Sequence, residues 1–198
     1  MESKTTNKGL KFINNYRQVI ILLAEIIIFS LISSRFLSVG NLTNVLKQVS
    51  INAILAAGVS FAIILGGIDI SIGSVVGFTG AIAAALVVRD VPLVVVILAT
   101  LAIGAVAGLI NGVFIAYFDL QPMIVTLATL SVFRGATLVF TNGATVAMSK
   151  GACAASFKFL GSGRIFGFLY MPVLIMALVF IVVYYVCLLY TSDAADEL

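Results

Sequence analysis

A single carboxylate, Asp69, interrupts an otherwise uncharged stretch running from Gln48 to Val88. An acid flanked on both sides by apolar sequence of membrane length is costly to insert and is kept for a reason. It sits in Gly66-Gly67-Ile68-Asp69-Ile70-Ser71-Ile72-Gly73-Ser74. The paired glycines release the backbone from helical geometry at little steric cost. Asp69 or Ser71 can then cap the amides that open the next helix, where negative charge also suits the helix dipole. The alternative reading of the same residues is a discontinuous helix whose broken backbone lines a pathway. The two readings are compatible, because a capped half-helix is how such a break is stabilised.

The rest of the chain has the same character. Of 198 residues 62% are hydrophobic and 10% charged, with no His and no Trp, and the mean hydropathy is +1.24. Soluble domains are far less apolar. A bilayer core of about 30 Å is crossed by about 20 helical residues, and six apolar stretches are taken as long enough to span: Gln18–Ser33, Val49–Leu65, Ile70–Val88, Pro92–Phe118, Pro122–Thr141 and Phe168–Tyr190. The expected fold class is all-α, a polytopic transmembrane helix bundle in contact with membrane lipid.

Lys4, Lys8, Lys11 and Arg17 precede the first stretch, which predicts a cytoplasmic N-terminus. Alternation from that start places Arg35, Lys47, Arg89, Lys150, Lys158 and Arg164 outside, so the later charges support the orientation poorly. Residues 1–17 then form a cytoplasmic tail, followed by a transmembrane domain over residues 18–186. A net charge of +3 without a basic, aromatic-interleaved stripe gives no sign of nucleic-acid binding. Cys153 and Cys187 fall near opposite membrane faces, whereas a disulfide requires Cα atoms within about 7 Å. With no His and no CxxC, no metal site is expected.

Small and polar residues mark particular faces. Gly73, Gly77 and Gly80 share one face of the third stretch, and Gly104, Gly108 and Gly112 repeat on the fourth with Asn111 beside them. Such faces let helix backbones approach closely, so both are expected to pack within the bundle. In the fifth stretch Thr126, Thr129, Arg134 and Thr137 fall within an arc of about 140°, facing other helices or a wet cavity. Arg134 can snorkel to the interface, pair with Glu25, or line a polar pathway. The segment from Arg35 to Lys47 reads as a short interfacial helix capped by Asn41 or Thr43, or as an ordinary connector. Asn142 to Gly167 reads as a loop, a docking surface or a disordered connector.

In order, Asn41-Leu42-Thr43-Asn44-Val45-Leu46, the Gly66–Ser74 segment, Gly108-Leu109-Ile110-Asn111-Gly112, Ile124-Val125-Thr126-Leu127-Ala128-Thr129, Phe133-Arg134-Gly135 and Thr141-Asn142-Gly143 form a series. This series resembles the permease subunits of bacterial ribose-type sugar ABC importers, from about Tyr16 to Val186. The resemblance implies a multi-pass subunit of the bacterial inner membrane that works with a second permease subunit. Two cytoplasmic ATP-binding subunits would drive it, and an extracytoplasmic sugar-binding protein would deliver cargo. Permeases of that family are half as long again or more. The resemblance therefore implies an N-terminal fragment, with the acidic residues 187–198 a non-native tail and the ATPase-coupling loop absent.

The leading expectation is thus the membrane-spanning subunit of an ATP-driven monosaccharide importer. Its candidate pathway or gating residues are Asp69, Ser71, Asn111, Thr126, Thr129 and Arg134. ATP hydrolysis is expected in a separate subunit, and no GxxxxGK[ST] sequence occurs. The alternative is a secondary transporter or channel using Asp69 or Arg134 as an ion-coupling site, although no second copy of the Gly-Gly-Ile-Asp turn is present. A membrane enzyme is a distant third: the chain offers no Ser-x-x-Lys arrangement and no acid pair in one span. No catalytic residue and no cofactor are expected.

Overall fold

The structure, a computed structural model, describes residues 15–148, 152–165, 167 and 169–196. Among these, seven helices and one small hairpin follow in the order α1 (Arg17–Ile32), α2 (Val39–Ile64), α3 (Ile72–Val88), α4 (Leu93–Ala116), α5 (Pro122–Thr141), α6 (Ala152–Ser162), β1 (Arg164–Ile165), β2 (Leu169–Tyr170) and α7 (Met171–Asp196). The two strands pair antiparallel, Arg164 opposite Tyr170. The helical expectation holds apart from this hairpin. The basic cluster Lys4, Lys8 and Lys11, and Lys150 in the later loop, lie outside the described residues.

Among the described residues four helices are long and apolar enough to cross a bilayer: Val39–Ile64, Leu93–Ala116, Pro122–Thr141 and Met171–Leu188. The apolar α3 has 17 residues and α1 has 16, a rise of about 24–26 Å. Six crossings are thus only partly matched by helix length. Large apolar side chains face outward throughout, Leu31 at 82% and Val139 at 79% exposure. This suits a chain whose solvent is hydrocarbon.

The chain divides into two compact units, Met1–Leu46 and Lys47–Leu198. In the first, Phe29 stacks on Phe36 with centroids 5.6 Å apart, and the Asn41 amide donates to the Phe36 carbonyl at 2.8 Å. The expected short interfacial helix with a cap at Asn41 or Thr43 is replaced by a helix that starts at Val39 and runs unbroken to Ile64. Ser38 does the capping, its Oγ accepting from the Asn41 N–H at 3.3 Å. Thr43 instead donates back to the Val39 carbonyl at 2.8 Å, a bond made inside a helix.

In the second unit α3, α4 and α5 pack on one another. Phe78 on α3 meets Phe133 on α5 with ring centroids 5.6 Å apart. Ala83 and Val87 on α3, Val96 on α4 and Ala154 on α6 form a buried apolar cluster, covered by Leu86, Val91, Met148 and Phe157. The segment from Asn142 to Gly167 is therefore more than a connector. It folds a helix back onto α3 and α4 and closes with a hairpin, where the Arg164 guanidinium donates to the Tyr170 hydroxyl at 2.6 Å.

The glycine faces are open among the described residues. A Cβ placed at Gly73, Gly77, Gly80, Gly104, Gly108 or Gly112 would meet nothing within 4 Å. The helices touch instead through alanine, valine, serine and threonine positions such as Ala83, Ala107, Val125 and Thr126, which are the buried ones. Close packing on the glycine stripes is thus not made among the described residues.

Candidate functional site at the break between α2 and α3

The two glycines after α2 serve different needs. Gly66 has φ +79; its N–H bonds the Ile63 carbonyl at 3.0 Å, and the Gly67 N–H bonds the Ala62 carbonyl at 2.9 Å. These are the paired bonds of a Schellman motif, with glycine in the left-handed position that ends the helix. Gly67 sits in a tight place, since a Cβ there would lie 3.2 Å from Cβ and 3.3 Å from Cγ of Pro122. The chain leaving α2 therefore lies directly against the first residue of α5.

Asp69 organises the entry to α3. Its Oδ1 accepts from the Ser71 N–H at 2.8 Å and from the Ser71 hydroxyl at 2.6 Å. The carboxylate holds the residue that precedes α3 rather than an amide of the first helical turn, so it braces the helix from outside. The Asn111 Nδ2 on α4 donates to the Ser71 Oγ at 3.0 Å. The Thr126 hydroxyl on α5 donates to the Ile68 carbonyl at 3.2 Å. Four residues expected to line a pathway, Asp69, Ser71, Asn111 and Thr126, are thus assembled from the break, α4 and α5. Ser71 and Thr126 are each 1% exposed and Asn111 5%.

Proton counting fixes the polarity of this network. A serine hydroxyl has one proton, and that of Ser71 is committed to Asp69 at 2.6 Å. Ser71 must then accept from Asn111, so the amide turns its nitrogen to Ser71 and its oxygen away. That oxygen, Asn111 Oδ1, is buried without a hydrogen-bond donor. A buried polar atom left without a partner costs about 1–3 kcal/mol.

Two cavities flank the network. One of about 480 Å³ is walled by Gly67, Ile68 and Asp69 of the break, Asn111 and Gly112 of α4 and Thr126 of α5, among others. The other, of about 390 Å³, lies between Gly73, Ser74 and Gly77 of α3 and Arg134 and Thr137 of α5. The polar arc of α5 is therefore divided: Thr126 faces the first cavity, Arg134 and Thr137 the second. Thr129 lines neither, its hydroxyl returning to the Thr126 carbonyl at 3.1 Å and the Val125 carbonyl at 3.2 Å. The contact of Gly67 with Pro122 and the Ile68 carbonyl as an acceptor are site features that residue types alone do not announce. Among the described residues no group of His, Cys, Asp and Glu could hold a metal ion.

Known proteins resemble this chain over most of its length. A ribose import permease protein of Haemophilus influenzae is 40% identical over 187 residues, covering 94% of this chain and 58% of that protein. The ribose import permease protein of Bacillus subtilis is 38% identical over 159 residues, 80% of this chain and 48% of its own length. An autoinducer 2 import system permease protein of Escherichia coli is 36% identical over 136 residues, 67% of this chain and 40% of that protein. The chain thus spans about half the length of these curated relatives. No solved structure matches it. Residues 41–192, which hold the whole network from Asp69 to Thr126 and Arg134 beyond it, match the model of one transport family, and the chain belongs to that family, described as the permease component of the branched-chain amino acid transport system.

Proposed function

We propose that this chain is part of the membrane-spanning subunit of an ATP-driven monosaccharide importer of the bacterial inner membrane, contributing to the translocation pathway. The observation that carries the reading is 40% identity to a ribose import permease over 187 residues. The geometry agrees with it. A transport pathway needs polar groups held inside an apolar bundle, at a place where the backbone leaves helical geometry. The Gly66–Ser71 break, with Asn111 and Thr126 around it, supplies that arrangement.

Six crossings with a cytoplasmic N-terminus put residues 1–17 inside, the transmembrane domain at residues 18–186, and the segment carrying α6 and the hairpin outside. Energy would come from cytoplasmic ATP-binding subunits, cargo from an extracytoplasmic sugar-binding protein, and the other half of the pathway from a second permease subunit. Asp69, Ser71, Asn111 and Thr126 would act in the pathway. Arg134 would line it from the second cavity, and Thr129 would act only by supporting α5.

The test is a chimera in which residues 1–186 replace the matching part of the Haemophilus influenzae ribose permease, expressed in cells lacking their own. Uptake of radiolabelled ribose above the empty-vector level is expected, and background uptake with normal membrane insertion would refute the reading. For orientation, a membrane-impermeant maleimide is expected to label Cys153 from outside intact cells and to leave Cys187 unmodified. The opposite pattern would invert the topology.

A further inference from the structure

We infer that the cavity at the turn between α1 and α2 seats the phosphate of an anionic phospholipid, held by the Arg35 guanidinium. The inference goes beyond the importer reading and does not depend on it.

The turn is built by its own bonds. The Phe36 N–H bonds the Ser33 carbonyl at 3.0 Å, and the Ser38 N–H bonds the Arg35 carbonyl at 3.1 Å. The Asn41 amide donates to the Phe36 carbonyl at 2.8 Å, and the Phe36 ring stacks on Phe29. Arg35 therefore leaves from a backbone held on both sides. A cavity of about 430 Å³ lies beside it, lined by Ser33, Arg35, Ser38, Gly40, Asn41 and Asn44 among others.

The uncommitted groups of that cavity are donors. Ser38 and Asn41 are spent on the turn, the Ser38 hydroxyl donating to the Arg35 carbonyl at 2.7 Å. Among the described residues no hydrogen bond or ion pair engages the Arg35 guanidinium, the Ser33 hydroxyl or the Asn44 amide. No acid is among the residues that line the cavity. Between Glu25 and Asp69 the only charged residues are Arg35 and Lys47, both cations. An occupant must therefore bring negative charge and acceptor oxygens. Phosphate brings both, and its oxygens match the guanidinium fork with two charge-assisted bonds.

The surroundings say where the phosphate comes from. α2 is long and apolar enough to cross a bilayer, and the turn precedes its first residue, where a span meets the headgroups. Ile32, Leu37 and Val39, in and beside the turn, expose apolar side chains. A phospholipid covers these with acyl chain as it brings the phosphate, whereas a free phosphate ion leaves them bare.

The test is electron paramagnetic resonance on the full 198-residue chain in phosphatidylcholine bilayers. Spin-labelled phosphatidylglycerol, phosphatidylcholine and diacylglycerol are the probes, and the immobilised fraction gives the relative association of each. Wild type should prefer phosphatidylglycerol to both others. Arg35→Gln should lower that preference about fivefold, the worth of one cation at a membrane surface. Gly40→Leu should lower it as much with no change of charge, because its side chain fills space where a Cβ meets nothing within 4 Å. Gly80→Leu should leave it unchanged, since Gly80 is equally open but does not line this cavity. Should Gly40→Leu not elute as wild type does, Asn44→Leu replaces it, since Asn44 also lines the cavity.

Equal preference in wild type and Gly40→Leu would overturn the inference, because general basic charge alone would then attract the lipid. Equal association of phosphatidylglycerol and diacylglycerol would overturn it as well. So would displacement of the labelled lipid by inorganic phosphate beyond that by sodium chloride of equal ionic strength, which would make the occupant a free anion.

Discussion

At its start α3 is tied to its neighbours by directional bonds, Asp69 to Ser71 and Asn111 to Ser71. At its far end it is held by shape, with Ala83 and Val87 closed over by Val96 and Ala154. The two ends are separated by the 17 residues of one helix, about 26 Å. The apolar end can exchange one hydrocarbon group for another of similar volume and keep most of its contacts. The polar end cannot, because Ser71 stands between Asp69 and Asn111 and its removal strands the Asn111 amide nitrogen. In a membrane bundle apolar burial drives packing weakly, since lipid tails are as apolar as the side chains. Hydrogen bonds then fix position where the chain leaves the helix, and a cavity can exist beside them without the site collapsing.

Substitutions should separate the two regimes, read as unfolding free energies in bicelles. The largest effect is expected from Gly67→Val, because the ring of Pro122 stands only 3.2 Å from where a Cβ would sit. Overpacking against so rigid a neighbour costs about 1–3 kcal/mol, with α5 displaced as well. Ser71→Ala comes next, because it strands the Asn111 amide nitrogen and removes one of two bonds to Asp69, for a loss of about 2 kcal/mol. At the other end Val87→Ala, at 0% exposure, should cost about 1–2 kcal/mol. The smallest effect is expected from Asp69→Asn, because the amide oxygen can still accept from the Ser71 N–H and hydroxyl. A loss from Asp69→Asn as large as that from Ser71→Ala would show that charge, rather than acceptance, holds the break.

Much of the bundle is legible in the sequence because long uncharged runs admit few structures in lipid. The fifth stretch, bounded by Pro122 and by Asn142-Gly143, coincides with α5. Asp69, Ser71, Asn111 and Thr126 stand out as polar residues in apolar sequence, and they do converge. Their pairing is less legible, since a Ser71–Asn111 bond spans 40 residues and nothing local encodes it. Small residues permit close approach but do not compel it, and among the described residues alanine and valine positions make the contacts. Ala152–Ser162 hides in a composition of Gly, Ala and Ser that reads as loop, because its helicity depends on burying Ala154 against α3 and α4. The start of α2 is equally hidden, because Ser38 becomes a cap only once the helix begins at Val39.

Ser71 and Asn111 act as one unit tying α3 to α4, and a double-mutant cycle of Ser71→Ala and Asn111→Leu measures their coupling directly. The pair should show a coupling of about 1 kcal/mol or more, whereas Ser71→Ala with Val87→Ala should add within about 0.5 kcal/mol, as distant sites do. Additivity of Ser71→Ala and Asn111→Leu, with both single variants folded, would contradict the account.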